Sequence, residues 1–385
     1  MKLSRRFLLL IIMTGLGLLW AALPVSGETD IPQESVTMPP SFGELEEVLP
    51  SEITDLLPDG LFSEDTKTAL NAAETMTDWR FLLDALLRAV GLGMEDTLGF
   101  LFTLLGMIIL YSILHALRKS IGGRSGEMLD FCLRLAAFGA IALQTVGMVE
   151  AVKTYFDRLG TLMNAMIPVM GALYAMGGNL GQAAANGELL LVFLTVCQWV
   201  STSVTPPVCA LCMAFSLIDA FGSSVSLSPL AARVKGGYTW MLGLITFLLS
   251  LALSAQSIIT SRADTLGMRG VKYAVGQMLP VVGGAVSGTL GTMADGISAL
   301  RGICGVSGVI LLALTLLPTL IRLLLGRLAL SWATTFASML GCDGEAKLIG
   351  EMASLYGYLA AAVAICSVLF VLALTLLIQS GVALG

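Results

Sequence analysis

The chain has 385 residues, of which 56% are hydrophobic and only 12% charged, and its mean hydropathy is +0.87. Too few polar groups are present to cover an aqueous globule, so the composition excludes an ordinary soluble domain and points to a polytopic membrane protein, with no nucleic acid among its expected partners. The net charge of −6 hides an asymmetry: residues 28–96 hold sixteen acidic and three basic side chains, the remainder eleven acidic and eighteen basic, so the two parts are expected in different environments.

Lys2, Arg5 and Arg6 precede the apolar run Phe7–Leu19, and Val25-Ser-Gly27 offers small residues for a signal peptidase. Residues 1–27 thus have the form of a signal peptide, either cleaved after Gly27 or retained as an anchor. Residues 28–96 follow as an acidic extracytoplasmic segment. Pro32, Pro39, Pro40, Pro50 and Pro58 lead us to expect extended or mobile chain over much of 28–65. Near 64–92 an amphipathic helix is expected: Glu64 and Asp65 suit its start, Trp79, Leu82, Leu83, Leu86 and Val90 share one face, and Arg80, Asp84 and Arg88 share another. Such a helix lies on the membrane surface, docks on a partner, or packs on the first span of its own chain.

The membrane domain is expected over 97–385. Thr97–Leu117 has the ~20 apolar residues that a bilayer requires, and Arg118, Lys119 and Arg124 place the next loop in the cytoplasm. Leu129–Val149 is a second span, with Arg134 a turn from its cytoplasmic end and able to snorkel. A charged connection through Glu150, Lys153, Asp157 and Arg158 leads to Pro168. The apolar run from Glu188 to Gly222 would be ~52 Å of helix, too long for one span, and Pro206-Pro207 divides it. A re-entrant pair, two tilted spans and one kinked helix are all compatible with that pattern; Ser201, Thr202, Ser203 and Thr205 stand ready to bond carbonyls that the prolines leave free. Arg233 and Lys235 precede the span Tyr238–Ile258. After Ile303–Leu317 come Pro318, Arg322 and Arg327, an apolar piece to Leu340, a polar loop with Asp343, Glu345, Lys347 and Glu351, and a final span near Leu355–Ile378. The expected fold is therefore all-α, with about seven to nine transmembrane or re-entrant helices.

An internal echo runs through this domain. Met166-Ile-Pro-Val-Met-Gly171 matches Met278-Leu-Pro-Val-Val-Gly283 at an offset of 112 residues, and the same offset carries Pro206 onto Pro318 and 129–149 onto 241–261. Repeats over 129–236 and 238–348 would explain this; so would chance likeness between segments rich in Gly, Ala and Leu. Two repeats with odd numbers of crossings would be inverted, as in transporters. The proline and glycine positions Pro168, Gly171, Pro206, Pro207, Pro280, Gly283, Gly284, Gly288 and Pro318 are the candidate pore or gate residues, because irregular backbone at membrane depth must face protein or water.

Catalytic chemistry is not expected. His115 is the sole histidine, so neither a histidine-based metal site nor a Ser-His-Asp triad can be assembled. Cys209-Ala-Leu-Cys212 follows Pro-Pro in an apolar piece and reads as structural, and no phosphate-binding glycine loop with Lys-Ser/Thr occurs. No cofactor or metal is expected. Asp219, Asp295 and Glu188, near segment ends, read as interfacial.

At Lys272-Tyr-Ala-Val275 and Leu279-Pro-Val-Val-Gly-Gly284, within the stretch Arg262–Ser287, the chain resembles the stage III sporulation protein AE family. The order of parts agrees over nearly the whole length. A departure follows at Ser287-Gly-Thr-Leu-Gly-Thr292, where more polar and acidic residues are expected of this family. The resemblance implies a non-enzymatic channel or export-gate subunit of the secretion-like complex that links mother cell and forespore. It implies as partners the other membrane proteins of the same operon, including ring-forming anchored proteins and an ATPase, and a multi-pass location in the mother-cell (outer forespore) membrane. An autonomous secondary transporter and a scaffold without a conduit remain the alternatives.

Overall fold

The computed structural model describes residues 39–49, 51–63, 65–121, 124–176, 191–192, 195–220, 227–248, 251–252, 255 and 283–379. The signal-peptide residues, Pro280 and the cationic stretch before it lie outside the described residues, as does much of the second proposed repeat.

Among the described residues the protein is all-α. Short helices α1 (Pro40–Val48), α2 (Ser51–Thr54) and α3 (Thr66–Thr77) precede four very long ones: α4 (Trp79–Ile121), α5 (Arg124–Met176), α8 (Gly283–Met339) and α9 (Asp343–Gln379). Between them stand α6 (Thr205–Ala220), entered through a π-helical turn at Val200–Val204, and α7 (228–248). Five helices among the described residues are long and apolar enough to cross a bilayer: those holding 79–114, 134–173, 195–219, 303–339 and 343–368. The chain is an all-α membrane protein.

Several local outcomes follow from backbone chemistry. Pro40 begins α1 instead of interrupting chain; at a first helical position its missing N–H would have had no partner. Phe42 and Leu45 of α1 are fully buried, with Phe42 against Phe62 at 5.4 Å, so part of the segment expected to be extended is a packed helical layer on α5. The stretch 64–92 holds two helices. Asp65 caps α3, accepting from the Lys67 N–H at 3.3 Å and the Thr68 hydroxyl at 2.8 Å, and the chain turns extended at Asp78 before α4 begins. From Trp79 the amphipathic half runs without a break into the expected first span. It therefore neither lies flat on the membrane nor folds back on its own span.

Pro168 and Pro318 both sit inside continuous helices. The 57 residues of α8 amount to ~85 Å and the 53 of α5 to ~80 Å, well over twice the ~30 Å hydrocarbon core, so both must project far beyond it.

The core is the antiparallel pair α8/α9, the most extensive helix contact among the described residues. Glycines set the spacing of this pair and of α8 against α5. A methyl group at Gly326 would come within 2.8 Å of the Tyr356 ring, one at Gly308 within 2.8 Å of the Met166 end, and one at Gly357 within 2.9 Å of the Arg327 guanidinium. Close approach of this kind is how membrane helices gain dispersion contacts where water supplies no hydrophobic drive. Tyr155 of α5 shares a buried 2.6 Å hydrogen bond with Ser367 of α9, fastening α5 to the pair. The outer wall is made by α4, the first half of α5, α7 and the end of α8. These carry exposed apolar side chains such as Phe102, Leu143, Trp240 and Trp332, whereas none of the large exposed apolar residues falls on the described part of α9.

Gly326→Leu is expected to lower stability by about 1–3 kcal/mol through overpacking against Tyr356. Gly139→Leu, where nothing lies within 4 Å of the added atom, should leave thermal unfolding in mild detergent almost unchanged. A second outcome concerns pH. Bonds from Thr68 and Lys67 hold the Asp65 carboxyl below its usual range, so its stabilisation of α3 is complete above about pH 4 and disappears as pH falls through the lowered value. Amide-exchange protection of 66–69 should follow that course, and Asp65→Ala should remove the pH dependence.

Candidate functional site

The strongest concentration of polar chemistry lies at the start of α9, where three charged residues reach three different helices. Glu345 lies 3.2 Å from the Arg134 guanidinium of α5, and Arg134 also donates to the Tyr111 hydroxyl of α4 at 3.3 Å. Lys347 stands 3.3 Å from Asp219 at the end of α6. Glu351 accepts from Lys235 of α7 at 2.7 Å and from the Ser228 hydroxyl at 3.3 Å, while its backbone carbonyl receives the same ammonium at 3.3 Å.

Local sequence positions each member. Asp219 accepts from the backbone N–H groups of Leu227 and, at 2.8 Å, Ser228, so the acid closing α6 caps the start of α7. A carboxylate there also meets the positive end of the helix dipole. Lys235 follows two turns later and is 2% exposed, which fixes its ammonium against Glu351. Asp343 and Glu345 fall in the first turn of α9, again favourable to its dipole. Glu345 is buried and forms part of the wall of an otherwise largely apolar cavity of about 130 Å³ between α4, α5 and α9, beside Leu104, Ile108, Ile141 and Ile349. A second cavity of about 180 Å³ lies where Leu49 meets Thr154, Asp157, Arg158, Thr161 and Thr315.

A further polar junction fastens α6 to α7. Thr205 donates to the Val200 carbonyl at 3.0 Å and shares a 2.8 Å bond with the Tyr238 hydroxyl, and Thr202 donates to the Gln198 carbonyl at 2.8 Å. The carbonyls bonded here are those of Val200, which also receives the Thr205 backbone N–H, and Gln198, and not those of Thr202 and Ser203 that Pro206 and Pro207 leave without a donor. The described part of the divided run forms one helix with a π turn, the third of the arrangements compatible with the sequence.

The proline and glycine positions do not share one environment. Pro168 is exposed on α5 and Gly171 is half-buried with open space around its Cα. Pro206 is half-buried and Pro207 exposed at the start of α6; Pro318 is half-buried within α8. Gly283, Gly284 and Gly288 lie in the opening turns of α8. Glu345, Lys347 and Glu351, expected on a loop, and Arg134, expected to snorkel, are instead drawn into helix-to-helix ion pairs. Partners separated by 116 residues, as Lys235 and Glu351 are, carry no mutual signal in one sequence. Cys209 and Cys212 are both buried and unbridged, and among the described residues no three His, Cys, Asp or Glu side chains gather to hold a metal ion.

Residues 62–381 match the family model described as stage III sporulation protein AE. The chain belongs to that family. The stage III sporulation protein AE of Bacillus subtilis (strain 168) is 23% identical to it over 233 residues, which is 60% of this chain and 57% of that relative. The match therefore spans less than two thirds of the relative's length. No solved structure matches the chain. Family membership together with the apolar helices makes this a membrane protein of the stage III sporulation protein AE family.

Lys235→Ala would leave the Glu351 carboxylate without its closest cation, and we expect a loss of about 3–5 kcal/mol. The double variant Lys235→Met, Glu351→Leu should recover most of it, because both charges go together. Unfolding of the detergent-solubilised chain would measure the difference.

Proposed function

We propose that this protein is a channel or export-gate subunit of the secretion-like complex joining mother cell and forespore, seated in the mother-cell membrane with residues 28–96 on the extracytoplasmic side. Membership of the stage III sporulation protein AE family carries this reading. Its partners on this view are the products of the same operon, namely ring-forming anchored proteins and an ATPase that supplies the energy.

Two physical features are in keeping with an assembled rather than a solitary role. Helices of ~80–85 Å reach well outside a ~30 Å hydrocarbon core, toward components that lie between two membranes. The two cavities described, of about 180 and 130 Å³, are local pockets, which is in keeping with a conduit formed between subunits.

Mild-detergent affinity isolation of the full chain from sporulating cells tests the proposal. Recovery together with ring-forming membrane proteins and an ATPase is the expected result. Recovery alone, as a monomer or homodimer, would favour an autonomous transporter. Within an assembly, Gly283→Leu with Gly284→Leu separates a conduit from a scaffold: passage should fail while the complex still forms, and intact passage would remove these glycines from the path.

A further inference from the structure

The surface of α5 changes character part-way along the helix. Up to Val146 its large exposed side chains are apolar: Met128, Phe131, Leu135, Leu143 and Val146. From Glu150 onward the exposed face is Glu150, Thr154, Asp157, Thr161, Asn164 and Pro168, and no large apolar side chain on the described remainder of α5 is exposed. The same change occurs on α8, where no residue of 303–321 is exposed, Arg322 is, and the large exposed apolar side chains begin at Leu328. On α4 the charged pair Glu95 and Asp96 precedes exposed Leu98 and Phe102. These three changes lie at one height in the bundle. Gly326 faces both Met148 of α5 and Tyr356 of α9, Gly93 faces Ile321 and Leu325, and Asp96 reaches Arg322 at 3.4 Å. Between Arg322 and the turn at Gly341, α8 rises ~28 Å, close to the ~30 Å of a hydrocarbon core.

Beyond that height the bundle continues as a packed core of its own. Leu159 and Met163 of α5, Leu311 and Leu312 of α8, and Val363 and Phe370 of α9 are completely buried there, and α1 and α3 pack over α5 and α8 with Glu44, Glu46, Glu47 and Glu74 exposed. Lipid does not suit this surface. The turns joining α1, α2 and α3 leave backbone groups that acyl chains cannot satisfy, and Glu150 and Asp157 would be charges facing hydrocarbon. On α4 some leucines stay exposed above the same height, but Arg80, Asp84, Arg88 and Glu95 stand among them. Asp84 and Arg88 pair at 2.8 Å with both side chains more than half exposed, as on a helix surface in water.

We infer that the membrane hydrocarbon contacts the described bundle only between this height and the α8/α9 turn, and that the outer portions of α5, α8 and α9 form, with α1, α2 and α3, a domain in water. The lipid-contacting surface is then the belt that includes Phe102, Leu143, Leu328 and Trp332. Ile303–Leu317, apolar enough to read as a span in the sequence, is core of the outer domain and not a crossing; α8 crosses by its later stretch 322–341. Hydropathy cannot separate the two, because a helix buried on every side by protein is as apolar as one in lipid. The assignment goes beyond the channel reading and holds whichever side of the membrane the domain faces.

The test uses the full chain in native membranes, as right-side-out and as inside-out vesicles, treated with a charged maleimide that does not cross lipid. Thr161→Cys and Asn164→Cys report on the outer portion, Leu143→Cys and Leu328→Cys on the belt, and peptide mapping by mass spectrometry separates each from the native thiols. The outer pair should react in one of the two preparations at least about tenfold faster than the belt pair in either, because the reagent attacks a thiolate that hydrocarbon does not allow to form. All four should react alike once the chain is denatured in dodecyl sulfate. Reaction of the belt pair with protection of the outer pair, equal reaction of all four in the membrane, or protection of the outer pair in both preparations would overturn the inference. Reaction of the outer pair in inside-out vesicles alone would support the domain while contradicting the proposed extracytoplasmic placement of residues 28–96, so the two failures are distinguishable.

Discussion

Charge held in a low-dielectric setting must be paired, and that constraint organises one end of the bundle. Two turns at the start of α9 supply Glu345, Lys347 and Glu351 to α5, α6 and α7 in turn. Splitting Glu351 from Lys235 or Glu345 from Arg134 is costly, because a largely buried charge would lose its counter-charge, whereas Lys347 is about half exposed and its pair with Asp219 is screened by solvent. The last long helix in the chain is therefore the one that satisfies charges on three helices made before it. Until α9 is in place, Arg134 and Lys235 lack these carboxylates, so correct packing of the middle of the chain depends on its C-terminal region.

Much of the architecture was legible because hydropathy reports where apolar side chains run. The spans holding 97–117 and 129–149 and the final span were all readable in this way. What it does not report is where the backbone turns. The stretches 79–92 and 97–117 looked like separate elements because Glu95 and Asp96 interrupt the apolar run, yet a helix has no need to stop at a membrane surface. Pro168 and Pro318 looked like breaks, but one lost backbone bond is small beside the packing of a helix exceeding fifty residues. The candidate site was less legible still. Glu345 and Glu351 were visible as charges, while their partners lay more than one hundred residues away and could be identified only once the helices were packed.

The glycines divide on the same principle. Many are positions of open space on outward faces, and sequence alone cannot separate these from Gly308, Gly326 and Gly357, where neighbouring side chains occupy the room a Cβ would need. Gly284 and Gly288, read from the sequence as candidate gate positions, belong to the opening turns of α8, and the close contacts described at Gly308 and Gly326 lie further along it. Spacing suggests that a small residue suits a contact; only the facing helix decides which one is used.

The seat of Arg327 against Gly357 has an evolutionary consequence. A guanidinium resting over a glycine between two central helices links the identities of those two positions. A side chain at 357 would have to displace the guanidinium from its seat, and a shorter residue at 327 would leave the space over the glycine unfilled. Relatives that have lost the arginine should be the ones in which 357 is free to vary, and they should have changed both positions together.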